Sequence, residues 1–201
     1  MKYHINSVNY SQLIPVHVAN EHERFVLYMY RPFFRKRATL GPVFVCVLKG
    51  ASLFFHHLAS ELMMLQQGFN YEFLRAASYH GTDTTGNVKV GSDEFDFSTL
   101  ESRPVIIVED IVDTGTTLAK LIPIIKEHGK PTSVEICTLL EKRIDHERRR
   151  SEIILTKAKY AGFSIPNKFI IGYGLDYNEL YRDLKDIWVI SKAGIEFEGK
   201  L

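Results

Sequence analysis

Three acids and a hydroxyl-rich turn lie close together in this chain. Glu109 and Asp110 are adjacent, Asp113 follows after two apolar residues, and Thr114, Gly115, Thr116 and Thr117 come next. An apolar run over residues 105–108 precedes them and a segment with helical patterning follows. A strand that ends in acids, turns through small hydroxyl residues and enters a helix suits phosphate and sugar chemistry. The loop amides and the positive end of the helix favour an anion. The acids beside them can hold sugar hydroxyls or a magnesium ion.

Such a site needs a frame, and the sequence supplies one. Residues 43–48 form a continuous apolar run of strand length, as expected for a strand buried on both faces of a parallel sheet. Residues 51–67 read as a helix stopped at Gly68, and residues 71–77 as a second strand. Residues 78–87 carry Gly, Thr, Asp and Asn without an apolar period, which predicts a long functional loop, and residues 88–90 resume a strand. The run at 105–108 is the third clear strand. A helix over 117–128 follows, with Gly129 as its C-cap and Pro123 as a point of bending or restart. Residues 133–140, 169–172 and 187–190 complete the strand candidates.

Alternation of strands and helices implies an α/β fold, a mainly parallel twisted sheet flanked by helices. In such sheets ligands bind beyond the carboxyl ends of the strands. The residues expected there are Lys49 and Gly50, Ser78 and Tyr79, the stretch from Glu109 to Thr117, Lys142 and Asp176, which apart from Ile111 and Val112 are polar, glycine or potentially reactive.

Composition narrows the function classes. The 201 residues suit one domain, with 45% hydrophobic and 24% charged residues and a net charge of +1. That balance argues against a strong global attraction to nucleic acid or membrane. The basic triplets at Arg35-Lys36-Arg37 and Arg148-Arg149-Arg150 read as solvated surface. Cys46 and Cys137 sit inside apolar runs, which predicts small core residues in a reduced compartment and a cytoplasmic location. His56 and His57 read as structural, because no second pair exists at metal-ligand spacing. No apolar run reaches the roughly 18 residues of a membrane span. No Gly-x-Gly-x-x-Gly motif opens a strand–helix turn, which speaks against a dinucleotide-binding dehydrogenase.

The motif Val108-Glu-Asp-Ile-Val-Asp-Thr-Gly-Thr-Thr117 resembles the phosphoribosyl-pyrophosphate signature of the purine phosphoribosyltransferases, most closely the hypoxanthine-guanine branch. Further blocks resemble that family in the same order. They are Val47 to Gly50, Arg75 with Ser78 and Tyr79, Leu139 to Arg143, Lys168 with Phe169, and Gly174 to Glu179 through Tyr181 to Leu184. Coverage runs from about residue 42 to 190. The resemblance implies a single domain over residues 1–201, with a small hood built from the chain ends.

It also implies roles. Glu109 and Asp110 would face the ribose and a magnesium ion. Thr114, Gly115, Thr116 and Thr117 would cradle the 5′-phosphate, and Asp113 would be the general base. Lys49, Gly50 and Arg182 would face the pyrophosphate. Lys142, Phe169, Ile170 and Asp176 would bind the purine, with Asp176 also within reach of a metal, and Ser78 and Tyr79 would lead a closing loop. A cis peptide at Leu48–Lys49 is a further implication. The expected activity is purine salvage, converting hypoxanthine or guanine and phosphoribosyl pyrophosphate to the nucleoside 5′-monophosphate and pyrophosphate. Small-molecule substrates would be the partners, with neither nucleic acid nor membrane, in a homodimer or homotetramer. A nucleotide- or phosphoribosyl-pyrophosphate-sensing regulator on the same fold is the competing reading, and another phosphoribosyltransferase, acting on xanthine or a pyrimidine, a third. Two departures stand out: the first forty residues do not fit the helix expected there, and the stretch between Lys142 and Phe169 is longer than usual.

Overall fold

A computed structural model describes residues 41–64, 68–77, 89–90, 95–143 and 158–191. Its main sheet is built from β1 (Val43–Leu48), β2 (Asn70–Ala77), β3 (Lys89–Val90), β4 (Pro104–Val112), β5 (Ser133–Arg143) and β6 (Tyr160–Pro166). The spatial order is β3-β2-β1-β4-β5-β6. All neighbours are parallel except β3, which pairs antiparallel with the end of β2. Helix α1 (Ser52–Met64) connects β1 to β2, and helix α2 (Thr116–Gly129) connects β4 to β5. A small antiparallel pair, β7 (Ile170–Ile171) and β8 (Trp188–Val189), stands apart from the main sheet. No helix among the described residues is long and apolar enough to cross a membrane.

The apolar runs explain this order. Val43 to Val47 and Val105 to Val108 are buried, as central strands covered on both faces must be. Alternate residues feed two cores. Phe44, Cys46, Ile106 and Val108 face α1 through Phe54, Phe55, Leu58 and Leu62. Val43, Val45, Val105 and Ile107 face α2 through Leu118, Leu121, Ile122 and Ile125. The spacing of those α2 residues is one apolar stripe of a 3.6-residue period. After β1 the chain steps to one side of the sheet, and after β4 to the other. Right-handed crossovers therefore put α1 and α2 on opposite faces. The carboxyl ends of β1 and β4 part at this reversal and leave a crevice between them, the usual place for a ligand in an open α/β sheet.

Several sequence expectations need correction. β6 is the fifth parallel strand of the sheet, whereas residues 169–172, expected in that role, contribute only the two residues of β7. β4 and β5 run further than expected, so Glu109, Asp110 and Lys142 lie within strands and not after them. Helix α2 passes through Pro123 without restarting, and its left-handed C-cap is Lys130 (φ 42°), not Gly129. Gly129 is used for its size: a Cβ there would meet the Leu100 side chain at 3.0 Å. The described helix α1 ends at Met64. The Leu48–Lys49 peptide is cis. Both cysteines are buried and free, and burial pushes the Cys46 thiol up to about 12. The first forty residues, both basic triplets, Ser78 and Tyr79 lie outside the described residues.

Candidate active site

The crevice at the ends of β1 and β4 is a cleft of about 1000 Å³. Lys49 and Gly50 from the end of β1, the stretch from Glu109 to Leu118, Phe169, and Asp176 to Glu179 with Arg182 all line it. A second, smaller cavity of about 170 Å³ adjoins it and shares Asp110, Ile111, Asp113, Phe169 and Asp176. Lys142, Ile170 and Leu175 complete its wall. One sheet edge thus offers a large polar cleft and a small pocket with an aromatic wall, joined at Asp113.

The acids occupy the floor. Glu109 is buried, and burial beside Asp110 holds its carboxyl well above the usual carboxylate range. Asp110 is half-buried and accepts a hydrogen bond from the Ile111 N–H at 2.8 Å. Removal from water pushes it up to about 6, against the opposing pull of that hydrogen bond and of Arg182. Burial disfavours ionisation of these two adjacent acids, and a cation bound beside them would restore their carboxylate forms. Gly50 lets the chain pass close to them: a Cβ at this position would lie 1.8 Å from Asp110 Oδ2.

The turn beyond β4 forms the phosphate-like end. Gly115 adopts φ 79°, a conformation that side-chain-bearing residues rarely take, and N-caps α2. Its carbonyl accepts the first helical bond, from the Ala119 N–H at 2.9 Å. Thr114 and Thr116 are exposed, with their hydroxyls 2.9 Å apart. The turn therefore presents hydroxyls and unpaired first-turn amides at the positive end of a 14-residue helix. Thr116 is both the first helical residue and one side of this cradle.

The small pocket is set by Lys142. Its side chain is 8% exposed, and Nζ lies 2.5 Å from Asp113 Oδ2. The same ammonium stands 6.0 Å from the centroid of the Phe169 ring. Phe169 is 49% exposed, too open for a core residue, and leans edge-on against Tyr177 with centroids 5.3 Å apart. Aromatic face, buried cation and acid converge on a space suited to one flat heterocycle.

The far side of the cleft is an ionic network. Lys49 Nζ pairs with Glu179 Oε2 at 2.7 Å. Arg182 Nη2 pairs with Asp176 Oδ1 at 2.8 Å and reaches Glu179 Oε1 at 3.3 Å. Arg182 Nη1 also donates to the Gly174 carbonyl at 2.8 Å, so this residue braces the loop as well as facing the cleft. Asp176 Oδ2 accepts from the Glu179 N–H at 2.8 Å.

The structure thus brings together every described residue assigned to the site from the sequence. Two charged lining residues had no assigned role, Arg75 and Glu179. The signal for Glu179 was its position three residues before Arg182 in a turn-rich segment. His57, read as structural, lies on the exposed face of α1 and contacts the Tyr173 hydroxyl through Nδ1 at 2.5 Å. Among the described residues no group of three or more His, Cys, Asp or Glu is arranged to hold a metal by itself.

Comparison with known proteins agrees with this geometry. The phosphoribosyl transferase domain profile matches residues 34–178. The hypoxanthine-guanine phosphoribosyltransferase of Bos taurus is 41% identical over 159 residues, which cover 76% of this chain and 69% of that protein. A Trypanosoma cruzi hypoxanthine phosphoribosyltransferase structure in complex with the product IMP superposes with TM-score 0.72 at 33% identity, covering 86% of this chain and 89% of that one. A second Trypanosoma cruzi structure, concerned with the C-terminal region in oligomeric state and enzymatic activity, gives TM-score 0.73 at 32% identity, covering 90% and 89%.

Proposed function

We propose, for a chain that belongs to the phosphoribosyl transferase family in its hypoxanthine-guanine branch, that it transfers the 5-phosphoribosyl group of phosphoribosyl pyrophosphate to an oxopurine. The observation that carries this reading is the Lys142–Asp113 pair at the junction of the cleft and the small pocket, beside Phe169. A cation and an acid at one edge of an aromatic pocket suit an acceptor with a carbonyl oxygen and a ring N–H. Lys142 donates to the 6-oxo oxygen. Asp113 accepts the proton from the five-membered ring. Phe169 stacks on the base, while Ile170 and Asp176 bound its far edge.

The sugar phosphate lies in the cleft. The 5′-phosphate rests on the amides and hydroxyls of Thr114 to Thr117, and the ribose hydroxyls face Glu109 and Asp110. The purine nitrogen forms its bond to the anomeric carbon as the bond to the pyrophosphate oxygen breaks. The departing pyrophosphate takes the bonding electrons and faces Lys49, the amide of Gly50 and Arg182, whose cations offset its charge. Holding both substrates at one sheet edge supplies orientation, which removes much of the entropic barrier of a two-substrate reaction.

The donor set fits magnesium. Adjacent carboxylates that burial has pushed upward favour a cation, and magnesium is commonly held by one or two carboxylates together with substrate oxygens. Glu109 and Asp110, with Asp176 nearby, would hold it. It would supply charge neutralisation for the pyrophosphate.

The two buried free cysteines support a reduced compartment such as the cytoplasm. Exposed Tyr71, Phe73 and Met64 support a homo-oligomer, a dimer or tetramer. The contiguous two-faced core supports one domain, with β7 and β8 as the described part of a small hood. The test is direct: incubate the protein with phosphoribosyl pyrophosphate, magnesium and hypoxanthine or guanine, and separate the products by chromatography. Nucleoside 5′-monophosphate is expected. Its absence with every oxopurine would contradict the proposal.

A further inference from the structure

The two cations assigned to the pyrophosphate are already joined by one side chain. Glu179 Oε2 lies 2.7 Å from Lys49 Nζ, and Glu179 Oε1 lies 3.3 Å from Arg182 Nη2. Lys49 comes from the end of β1 and Arg182 from the segment before β8, 133 positions apart in the chain, so the carboxylate links two walls of the cleft. The loop that carries it is held in an uncommon shape. Asn178, Glu179 and Tyr181 have φ of 48°, 64° and 72°, in the left-handed region, and none is glycine. Such conformations cost free energy and persist where the surroundings impose them. Here the Glu179 N–H is pinned to Asp176 Oδ2, and Tyr177 and Leu180 pair through their backbones.

From this geometry we infer that Glu179 is an internal occupant of the pyrophosphate site. Its carboxylate offers two oxygens to the same two cations that a pyrophosphate would engage. It must give them up when the anion binds, and it competes to regain them before the product leaves. The contact is weak enough to yield. The side chains of Lys49 and Glu179 are 59% and 65% exposed, and exposed ion pairs contribute little. Arg182 keeps Asp176 as a second partner, so its loop stays braced while Glu179 is displaced. Glu179 thus tunes the affinity of the site downward and favours product release.

This inference rests on the assignment of Lys49 and Arg182 to the anion, and the experiment separates the two. Inorganic pyrophosphate is titrated calorimetrically into the full chain and into Glu179→Gln, in magnesium-containing buffer and again with a chelator. Glutamine keeps the length of the side chain and the backbone hydrogen bond but removes the charge. Glu179→Gln is expected to bind pyrophosphate about twofold to thirtyfold more tightly than the unmodified protein, as loss of two weak competing ion pairs implies. The gain should shrink when Lys49→Met is added, because one of the contested cations is then gone. Unchanged or weaker binding by Glu179→Gln would overturn the inference and make Glu179 a positioning residue for the cations. If neither protein bound pyrophosphate, the anion-site assignment itself would fall, and the inference with it.

Discussion

Lys142 Nζ lies 2.5 Å from Asp113 Oδ2, so the cation assigned to the purine oxygen and the acid assigned to its ring proton form an ion pair. The partners differ in exposure: the lysine side chain is 8% exposed and the aspartate 46%. The lysine is the fixed partner, and the acid, on a turn beyond β4, is the one that solvent and substrate can reach. On the proposed reading, an oxopurine entering the pocket would replace one ion pair with two separate contacts, one to each residue.

Asp113→Asn should therefore slow the chemical step by about 10²–10⁴-fold, the usual contribution of a positioned general base. Affinity for phosphoribosyl pyrophosphate should stay within a few-fold, because the cradle from Thr114 to Thr117 is untouched. Single-turnover rates and equilibrium titration measure the two quantities separately. Near-normal turnover would remove Asp113 from the proton-accepting role.

Lys142→Ala should act on base selection. A hydrogen bond from a charged donor contributes about 1.5–3 kcal/mol, so kcat/KM for hypoxanthine should fall by roughly 10- to 150-fold. Discrimination against adenine, which presents an amino donor where oxopurines present a carbonyl, should narrow. The ratio of kcat/KM values for hypoxanthine and adenine is the readout, and an unchanged ratio would contradict the assignment.

Gly50→Ala tests the close approach at the cleft floor. The added Cβ would stand 1.8 Å from Asp110 Oδ2, and the Gly50 carbonyl has little room to retreat, since a Cβ on Gly174 would lie 2.5 Å from it. Forced overpacking of this kind costs about 1–3 kcal/mol. The variant should fold with a lowered Tm and a weakened affinity for phosphoribosyl pyrophosphate, measured by calorimetry and titration. Wild-type values for both would show that Asp110 moves freely and does not depend on Gly50.

The buried acids give a pH-dependent prediction. The folded-state value of Asp110 is raised to about 6, above its unfolded value near 4. Its protonation therefore stabilises the fold fully below about pH 4, and that contribution is lost as pH rises through about 6. Asp110→Asn, which never ionises, should raise the Tm of the metal-free protein at pH 7.5 and change it little at pH 4. Differential scanning calorimetry at both pH values checks the sign. A lower Tm at pH 7.5 would mean that the ionised carboxylate is stabilised by its neighbours.

The legible parts of the fold were those where one force dominates. The apolar runs of β1, β4 and β5 are buried on both faces, and composition alone marks such strands. β6 was missed because its segment, Tyr160–Pro166, mixes small and polar residues at a sheet edge, where burial is partial. Gly162 sits there because a Cβ would lie 2.8 Å from the Leu139 carbonyl, a tertiary reason that no local pattern announces. Residues 169–172 were read as a main-sheet strand from their hydropathy, yet only Ile170 and Ile171 pair, and with β8. The candidate site was legible where its residues lie at or just beyond the carboxyl ends of the apolar strands, as Lys49, Glu109 to Thr117 and Lys142 do. Glu179 was not, because its relation to Lys49 spans 130 positions and arises only when the C-terminal loop folds over β1.

The most direct measurement offers the enzyme hypoxanthine, guanine, xanthine and adenine together, at equal concentration with phosphoribosyl pyrophosphate and magnesium, and quantifies each nucleotide formed at early times. The account predicts oxopurine nucleotides, with hypoxanthine or guanine consumed first and little adenine product, because Lys142 favours a carbonyl acceptor at the pocket edge. Preferential formation of the adenine nucleotide, or no nucleotide from any of the four bases, would contradict it.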